Sequence, residues 1–169
     1  MQRAGSERSG RGCRRLGVTG HQQLPPTAAD MLERRLDEMI LLAPEITVVC
    51  SLAVGADSEV AGRVLRAGGG LHAVLPCDHY EETFADSEAL ATYRFLLSQA
   101  KTVERLDFAQ PSEEAFLAAG YRVVDQCECL LAVWDGQPAR GLGGTADVVS
   151  HAHQLGKEVE VLWPAGVRR

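Results

Sequence analysis

The chain has 169 residues, of which 46% are hydrophobic and 24% charged, and its formal net charge is −6 at pH 7. This length is enough for one compact domain with a full hydrophobic core. No apolar run approaches the ~18 residues of a membrane helix, and the charged N-terminus lacks the apolar segment of a secretory signal, so we predict no membrane segment.

The charge is divided unevenly along the chain. Residues 1–15 carry five arginines and one acid, so the remaining residues carry a net charge of −10. We predict that residues 1–14, rich in Gly, Ser and Arg, form a disordered tail before a single domain over residues 15–169. The acidic body makes DNA an unfavourable partner, because basic residues dominate the affinity of proteins for nucleic acid.

Five cysteines lie at positions 13, 50, 77, 127 and 129. Their spacing fits neither a disulfide framework nor a zinc site. His72, His151 and His153 are not at ligand spacing from a carboxylate, and His79 beside Asp78 is interpreted as a surface residue. We therefore predict no metal and no cofactor, and we expect five free, mostly buried thiols in a reducing cytoplasm.

Short apolar runs alternate with helical patterns after the tail. Strands are predicted at 15–18, 46–50, 71–76, 102–106, 129–134 and 158–163. Helices are predicted at 27–43, within 55–69, at about 81–100, at 111–127 and at 145–156. Thr27 and Asp30 resemble a capping box at the start of the first helix.

This alternation predicts the fold class. Strands joined by helices indicate parallel βαβ crossovers, and nearly continuous apolar strands indicate a sheet covered on both faces. We predict an α/β, Rossmann-like, doubly wound fold with a mostly parallel sheet of about six strands and helices on both faces.

The loop after the fifth strand is a candidate phosphate site. Open α/β sheets bind ligands at the carboxyl ends of their strands, where this sequence concentrates small, glycine and ionisable residues. Gly143, Gly144 and Thr145 open a helix whose N-terminal amides and dipole attract a phosphate. The alternative is an ordinary helix cap after a glycine turn, and Thr145 either caps the helix or donates its hydroxyl to the phosphate.

The other strand ends supply further candidates for ligand binding. They are Thr19, Gly20, His21, Ser51, Gly55, Ala56, Asp57, Asp135, Gly136 and Arg140. His21 either contacts a ligand or lies in a surface turn. Asp57 either accepts from ribose hydroxyls or favours the N-terminus of its helix. Asp135 either contacts a base or sugar or starts an Asx turn, and Arg140 either clamps a phosphate or is solvated.

Four segments carry a resemblance to a known superfamily. "GVTGHQQL", "SLAVGADSEVA", "LHAVLPCDHYEETF" and "CLLAVWDGQPARGLGGTADVVSHA" resemble, in this order, motifs of small bacterial SLOG proteins, the group named after DprA/Smf and the LOG proteins. The resemblance spans about residues 15–165. It implies a Rossmann-like fold that binds nucleotides or nucleotide-derived ligands, and it is compatible with a homodimer because the superfamily often assembles.

The sequence departs from the LOG motif at the position of a catalytic residue. LOG enzymes carry the motif P-G-G-x-G-T-x-x-E with a catalytic glutamate, whereas Val148 stands at the glutamate position here and the leading Pro-Gly-Gly is missing. Asp147 lies one residue early, a rotation of ~100° on a helix. We therefore predict a nucleotide-binding or sensing module. The alternative is an N-glycosidase, phosphoribohydrolase or deoxyribosyltransferase-like enzyme that acts on nucleoside monophosphates, with Asp135 as its candidate catalytic residue.

Overall fold

A computed structural model describes residues 12–138 and 141–168. Its sheet contains the strands β1 Arg15–Gly20, β2 Thr47–Cys50, β3 Gly70–Leu75, β4 Thr102–Arg105, β5 Cys129–Val133 and β6 Glu158–Leu162. Their order across the sheet is β4-β3-β2-β1-β5-β6, and every neighbouring pair is parallel. The predicted α/β, doubly wound fold is confirmed, with its switch point between β1 and β5.

Helices cover both faces of the sheet. They are α1 Pro26–Leu42, α2 Ala56–Arg66, α3 Ser87–Gln99, α4 Glu113–Gln126 and α5 Thr145–Gln154, with a short 3₁₀ helix at Tyr80–Thr83. Helix α2 packs between α1 and α3 on one face, and α4 packs against α5 on the other. None of the helices in the described part of the chain is long and apolar enough to cross a membrane.

Local chemistry sets the helix ends. The Asp86 and Ser112 side chains cap α3 and α4 by accepting from the amides of Ala89 and Ala115, at 2.7 and 3.1 Å. The predicted capping box of α1 is wrong, because this helix begins at Pro26 and has no side-chain cap. Proline suits the first helical position, where its missing N–H removes no hydrogen bond.

The expectation of five free thiols is wrong for one pair. Cys13 and Cys129 form a disulfide, with their Cα atoms 6.4 Å apart, although 116 positions separate them in the sequence. Cys13 lies just before β1 and Cys129 opens β5, and these two strands are neighbours in the sheet. The other three cysteines, Cys50, Cys77 and Cys127, are free and buried as expected.

Candidate functional site

A cleft of about 1110 Å³ opens along the carboxyl edge of the sheet. Its walls come from the segments that follow β1, β2, β3 and β5, from α4 as far as Val123, and from the start of α5. Eight of the thirteen candidate residues line it: Thr19, Gly20, His21, Ser51, Asp57, Gly143, Gly144 and Thr145. Segments far apart in the sequence therefore meet at one site.

The other candidates do not line this cleft or are not described. Gly55 and Ala56 lie behind the lining, where the Ala56 amide donates to the carbonyl oxygen of His21 at 3.1 Å. Asp135 and Gly136 form the turn that leaves β5, with Gly136 at a φ of 78°. Arg140 lies outside the described residues.

Gly20 allows β1, β5 and α2 to approach closely at the cleft. A Cβ atom on this residue would lie 2.5 Å from the Cβ of Ala56 and 2.8 Å from the carbonyl oxygen of Val133. No side chain fits in that space. The missing Cβ therefore fixes the start of α2 against the ends of both strands.

His21 and Asp135 form a pair across the switch point. His21 Nε2 lies 3.0 Å from Asp135 Oδ1, and the two side chains are 10% and 7% exposed. The backbone amide of Asp135 also points at the same nitrogen, at 3.2 Å, so Nε2 faces both an acceptor and a donor of this one residue. Asp135 Oδ1 also accepts from the Gln137 amide at 3.2 Å, and Trp163 packs edge-on against His21 with ring centroids 5.0 Å apart. The pair thus joins the ends of β1, β5 and β6.

Asp57 holds the loop that follows β2. Its Oδ2 atom accepts from the amides of Ser51 and Ala53, at 3.1 and 3.3 Å. Leu52 lies between these residues with a φ of 58°, a left-handed conformation that is rare for leucine and that can turn successive amides toward one anion. Burial raises the pKa of Asp57 to about 7, while the two amide hydrogen bonds lower it. The carboxyl therefore exists in both protonation states near neutral pH.

Two glycines precede α5, and the carboxylate of Asp147 lies in its first turn. Gly144 is the N-cap, Thr145 is the first helical residue, and no side chain caps the helix. The Gly143 amide donates to Asp147 Oδ2 at 3.0 Å. First-turn amides have no carbonyl partner within their helix, and Thr145 and Ala146, which occupy this turn, both line the cleft.

Val148, at the glutamate position of LOG enzymes, packs against helix α4. The side chain is 3% exposed, and its Cγ2 atom would lie 2.5 Å from a Cβ atom on Gly120. Val148 also lines the cleft, so this position contributes an apolar side chain and no carboxylate to the lining.

Helix α4 supplies a wall that the sequence did not reveal. Glu113, Phe116 and Gly120 line the cleft. Tyr80 and Phe84 line it too, although the sequence alone is compatible with either a pocket wall or core packing for these two residues. A crossover helix must begin at the carboxyl edge of a parallel sheet, so the first turn of α4 is the signal that could have identified this wall.

The charge of the cleft is unusual for a phosphate site. Among the described lining residues, the ionisable side chains are those of His21, Asp57, Tyr80 and Glu113, and none is a lysine or arginine. Within residues 12–138 and 141–168, no group of three or more His, Cys, Asp or Glu side chains could hold a metal ion.

The chain matches no known protein-family model and no curated protein sequence. Solved structures do match. DprA from Streptococcus pneumoniae is 17% identical, with 90% of this chain and 51% of that chain covered and a TM-score of 0.70. DprA from Helicobacter pylori is 15% identical, with 90% and 66% covered and a TM-score of 0.68. The molybdenum cofactor binding protein from Rippkaea orientalis is 19% identical, with 87% and 74% covered and a TM-score of 0.58.

The sheet order and the edge cleft define an α/β protein of the Rossmann-like class. More particularly, the chain shares the fold of these DprA and molybdenum cofactor binding protein structures, in agreement with the fold that the resemblance to SLOG proteins implied. The chain spans about half the length of the pneumococcal DprA structure.

Proposed function

We propose that the chain binds a nucleotide or nucleotide-derived small molecule in the cleft, as a binding or sensing module. The convergence of Thr19–His21, Ser51–Asp57 and Gly143–Thr145 on one cleft carries the proposal. Its volume is adequate for a small ligand. The Rippkaea protein, named for binding the molybdenum cofactor, supports a small-molecule role for this fold.

The ligand phosphate lies at the start of α5 in this proposal. Because the Asp147 carboxylate engages the Gly143 amide, the amides of Thr145 and Ala146 are the donors to the phosphate. The glycines before them allow close approach. From its place in the sequence, between β5 and α5, Arg140 is proposed as the cation that clamps the phosphate, although it lies outside the described residues.

Ala146→Glu tests the phosphate position. A glutamate in the first turn suits the helix dipole but repels a phosphate, so we expect a folded variant whose affinity for 5′-nucleoside monophosphates falls about tenfold or more. Ser150→Glu is the matched control, because it adds the same charge at an exposed position of the same helix. Isothermal titration calorimetry with AMP, GMP, CMP, UMP, ADP-ribose and cyclic AMP measures the affinities. No binding signal from any of these compounds would refute the proposed function.

A second candidate function is cleavage of an N-glycosidic bond. The observation that favours it is the His21–Asp135 pair beside the cleft, which offers a carboxylate and an imidazole for proton transfer. Release of free base from nucleoside monophosphates or NAD, abolished in Asp135→Asn, would support it. The absence of base release from all of these substrates leaves the binding module as the function.

We propose a small molecule rather than DNA as the partner of this domain. The described cleft residues include no lysine or arginine, and the chain after residue 15 carries a net charge of −10. The Helicobacter pylori DprA, whose structure is similar to that of this chain, binds single-stranded DNA. The proposal that this chain does not bind DNA is therefore tested directly. We expect filter binding to detect no single-stranded DNA binding by the full chain or by a chain lacking residues 1–11, a truncation that keeps the Cys13–Cys129 disulfide and all of β1. Retention by the shortened chain would contradict the proposal.

A further inference from the structure

One part of the cleft combines two buried polar side chains with an aromatic wall. Asp57 and Tyr80 are only 7% and 5% exposed, yet both line the cleft. Phe84 lines the same cleft and contacts the Tyr80 ring nearly edge-on, with centroids 5.4 Å apart. A ligand with a planar ring and polar edges would fit between these side chains.

Both polar side chains have hydrogen-bonding capacity that the described residues do not use. Asp57 Oδ2 holds two amides, whereas no hydrogen bond in the described chain reaches Asp57 Oδ1 or the Tyr80 hydroxyl. Among the described residues, His72 Nε2 is the one fully enclosed side-chain polar atom without a hydrogen-bond partner, although Glu104 Oε2 lies 3.5 Å from it. The free atoms of Asp57 and Tyr80 are therefore not sealed inside the protein and remain open to a ligand in the cleft.

The Asp57 carboxylate also acts electrostatically on Tyr80. Burial raises the pKa of Tyr80 well above its ordinary value, and the nearby Asp57 carboxylate raises it further. The phenol therefore stays protonated and can donate a hydrogen bond. The Asp57 carboxyl beside it accepts when ionised and can donate when protonated. Together they present a donor and an acceptor within one buried corner.

We propose that Asp57 and Tyr80 recognise the hydrogen-bonding edge of a nitrogenous base that packs beside Phe84. This inference rests on the proposed function, since it assigns the base to one part of that cleft and leaves the phosphate at α5. A base fits this corner better than a ribose, because its flat ring suits the aromatic wall and its edge carries both donors and acceptors.

Two substitutions test this assignment without removing the support of the loop. Asp57→Asn keeps an oxygen acceptor for the Ser51 and Ala53 amides but replaces the other oxygen with an NH₂ donor. Tyr80→Phe removes the hydroxyl alone. Tyr93→Phe is the matched control, because Tyr93 is 3% exposed and packs against Tyr80 but does not line the cleft.

Calorimetry with the full chain, four nucleosides and their four 5′-monophosphates separates the possible outcomes. We expect the wild type to prefer one base, and Asp57→Asn and Tyr80→Phe each to reduce that preference about tenfold, the effect of one buried hydrogen bond. Tyr93→Phe should preserve the preference within about twofold. The ratio of monophosphate to nucleoside affinity should stay as in the wild type, unlike in Ala146→Glu.

Other outcomes overturn the assignment in distinguishable ways. If the wild type binds all four bases alike, or if both variants bind with unchanged base preference, the base assignment fails while nucleotide binding stands. If the wild type binds none of the eight compounds, the base assignment fails, and the wider panel that includes ADP-ribose and cyclic AMP decides whether the proposed function fails with it.

Discussion

At the scale of single residues, Asp57 links the stability of the chain to pH. Burial raises its pKa from the ordinary 3.8 to about 7. Between these values the folded state holds a proton that the unfolded state has lost, so the free energy of unfolding falls as the pH rises from about 4 to 7. Asp57→Asn cannot ionise. We expect this variant to gain stability relative to the wild type across that range, by an amount on the order of 4 kcal/mol at most.

Urea unfolding of both proteins at pH 5 and pH 8 measures this effect. His72 acts in the opposite direction, because burial and, to a lesser degree, Arg15 lower its pKa, so its contribution to stability grows as the pH rises toward 6.5. Since His72 is present in both proteins, its contribution cancels in the difference between them. A difference in stability that is the same at both pH values would show that Asp57 is not the group that titrates.

The conformation and contacts of some site residues could not be predicted from the sequence. The sequence indicated that Asp57 lies near the carboxyl edge, because it follows a predicted strand. It could not show that Leu52 adopts a left-handed conformation, or that the carboxylate holds the amides of its own loop. Those facts depend on backbone angles that no residue type in this loop requires. For Tyr80 the sequence left a pocket wall and core packing both open, since a tyrosine that packs in the core and one that lines a cleft look alike in a sequence.

At the scale of the elements, the contact between α4 and α5 depends on the absence of a side chain. Gly120→Ala would place its Cβ atom 2.5 Å from Val148 Cγ2, within a buried contact. Overpacking of this kind costs about 1–3 kcal/mol, which exceeds the gain of about 1 kcal/mol in helix propensity. We expect Gly120→Ala to lower the free energy of unfolding in chemical denaturation.

The double variant Gly120→Ala/Val148→Ala makes this prediction specific. Removal of Cγ2 should relieve the clash, so the two substitutions should be non-additive by about 1–2 kcal/mol. Gly62→Ala in α2 is the matched control, because its added Cβ meets only the flexible end of Arg66 at 3.3 Å. That control should stabilise the chain by up to about 1 kcal/mol. Equal stabilisation by Gly62→Ala and Gly120→Ala would mean that the two helices are not in tight contact.

At the scale of the whole molecule, the alternation of strands and helices was enough to predict the fold class. Each predicted strand overlaps an observed one. The boundary of β1 was wrong by two residues, because Thr19 and Gly20 continue the strand through pairing with Ala132 and Val133 of β5. Such pairing is a long-range property that local patterns do not carry. The same limit concealed the α4 wall of the cleft, which depends on how the crossover returns to the sheet.

The Cys13–Cys129 disulfide is the long-range link with the largest expected effect on stability. Closing a loop between residues 116 positions apart restricts the unfolded chain by about 4–5 kcal/mol in the entropy model. We therefore expect dithiothreitol to lower the free energy of unfolding of the wild type by a few kcal/mol, and Cys13→Ser to show the same loss without further change in reductant. Alkylation of the denatured, unreduced wild type, followed by mass spectrometry, should modify three cysteines. Five modified cysteines, together with a stability indifferent to reductant, would mean that β1 and β5 are held only by their hydrogen bonds and packing.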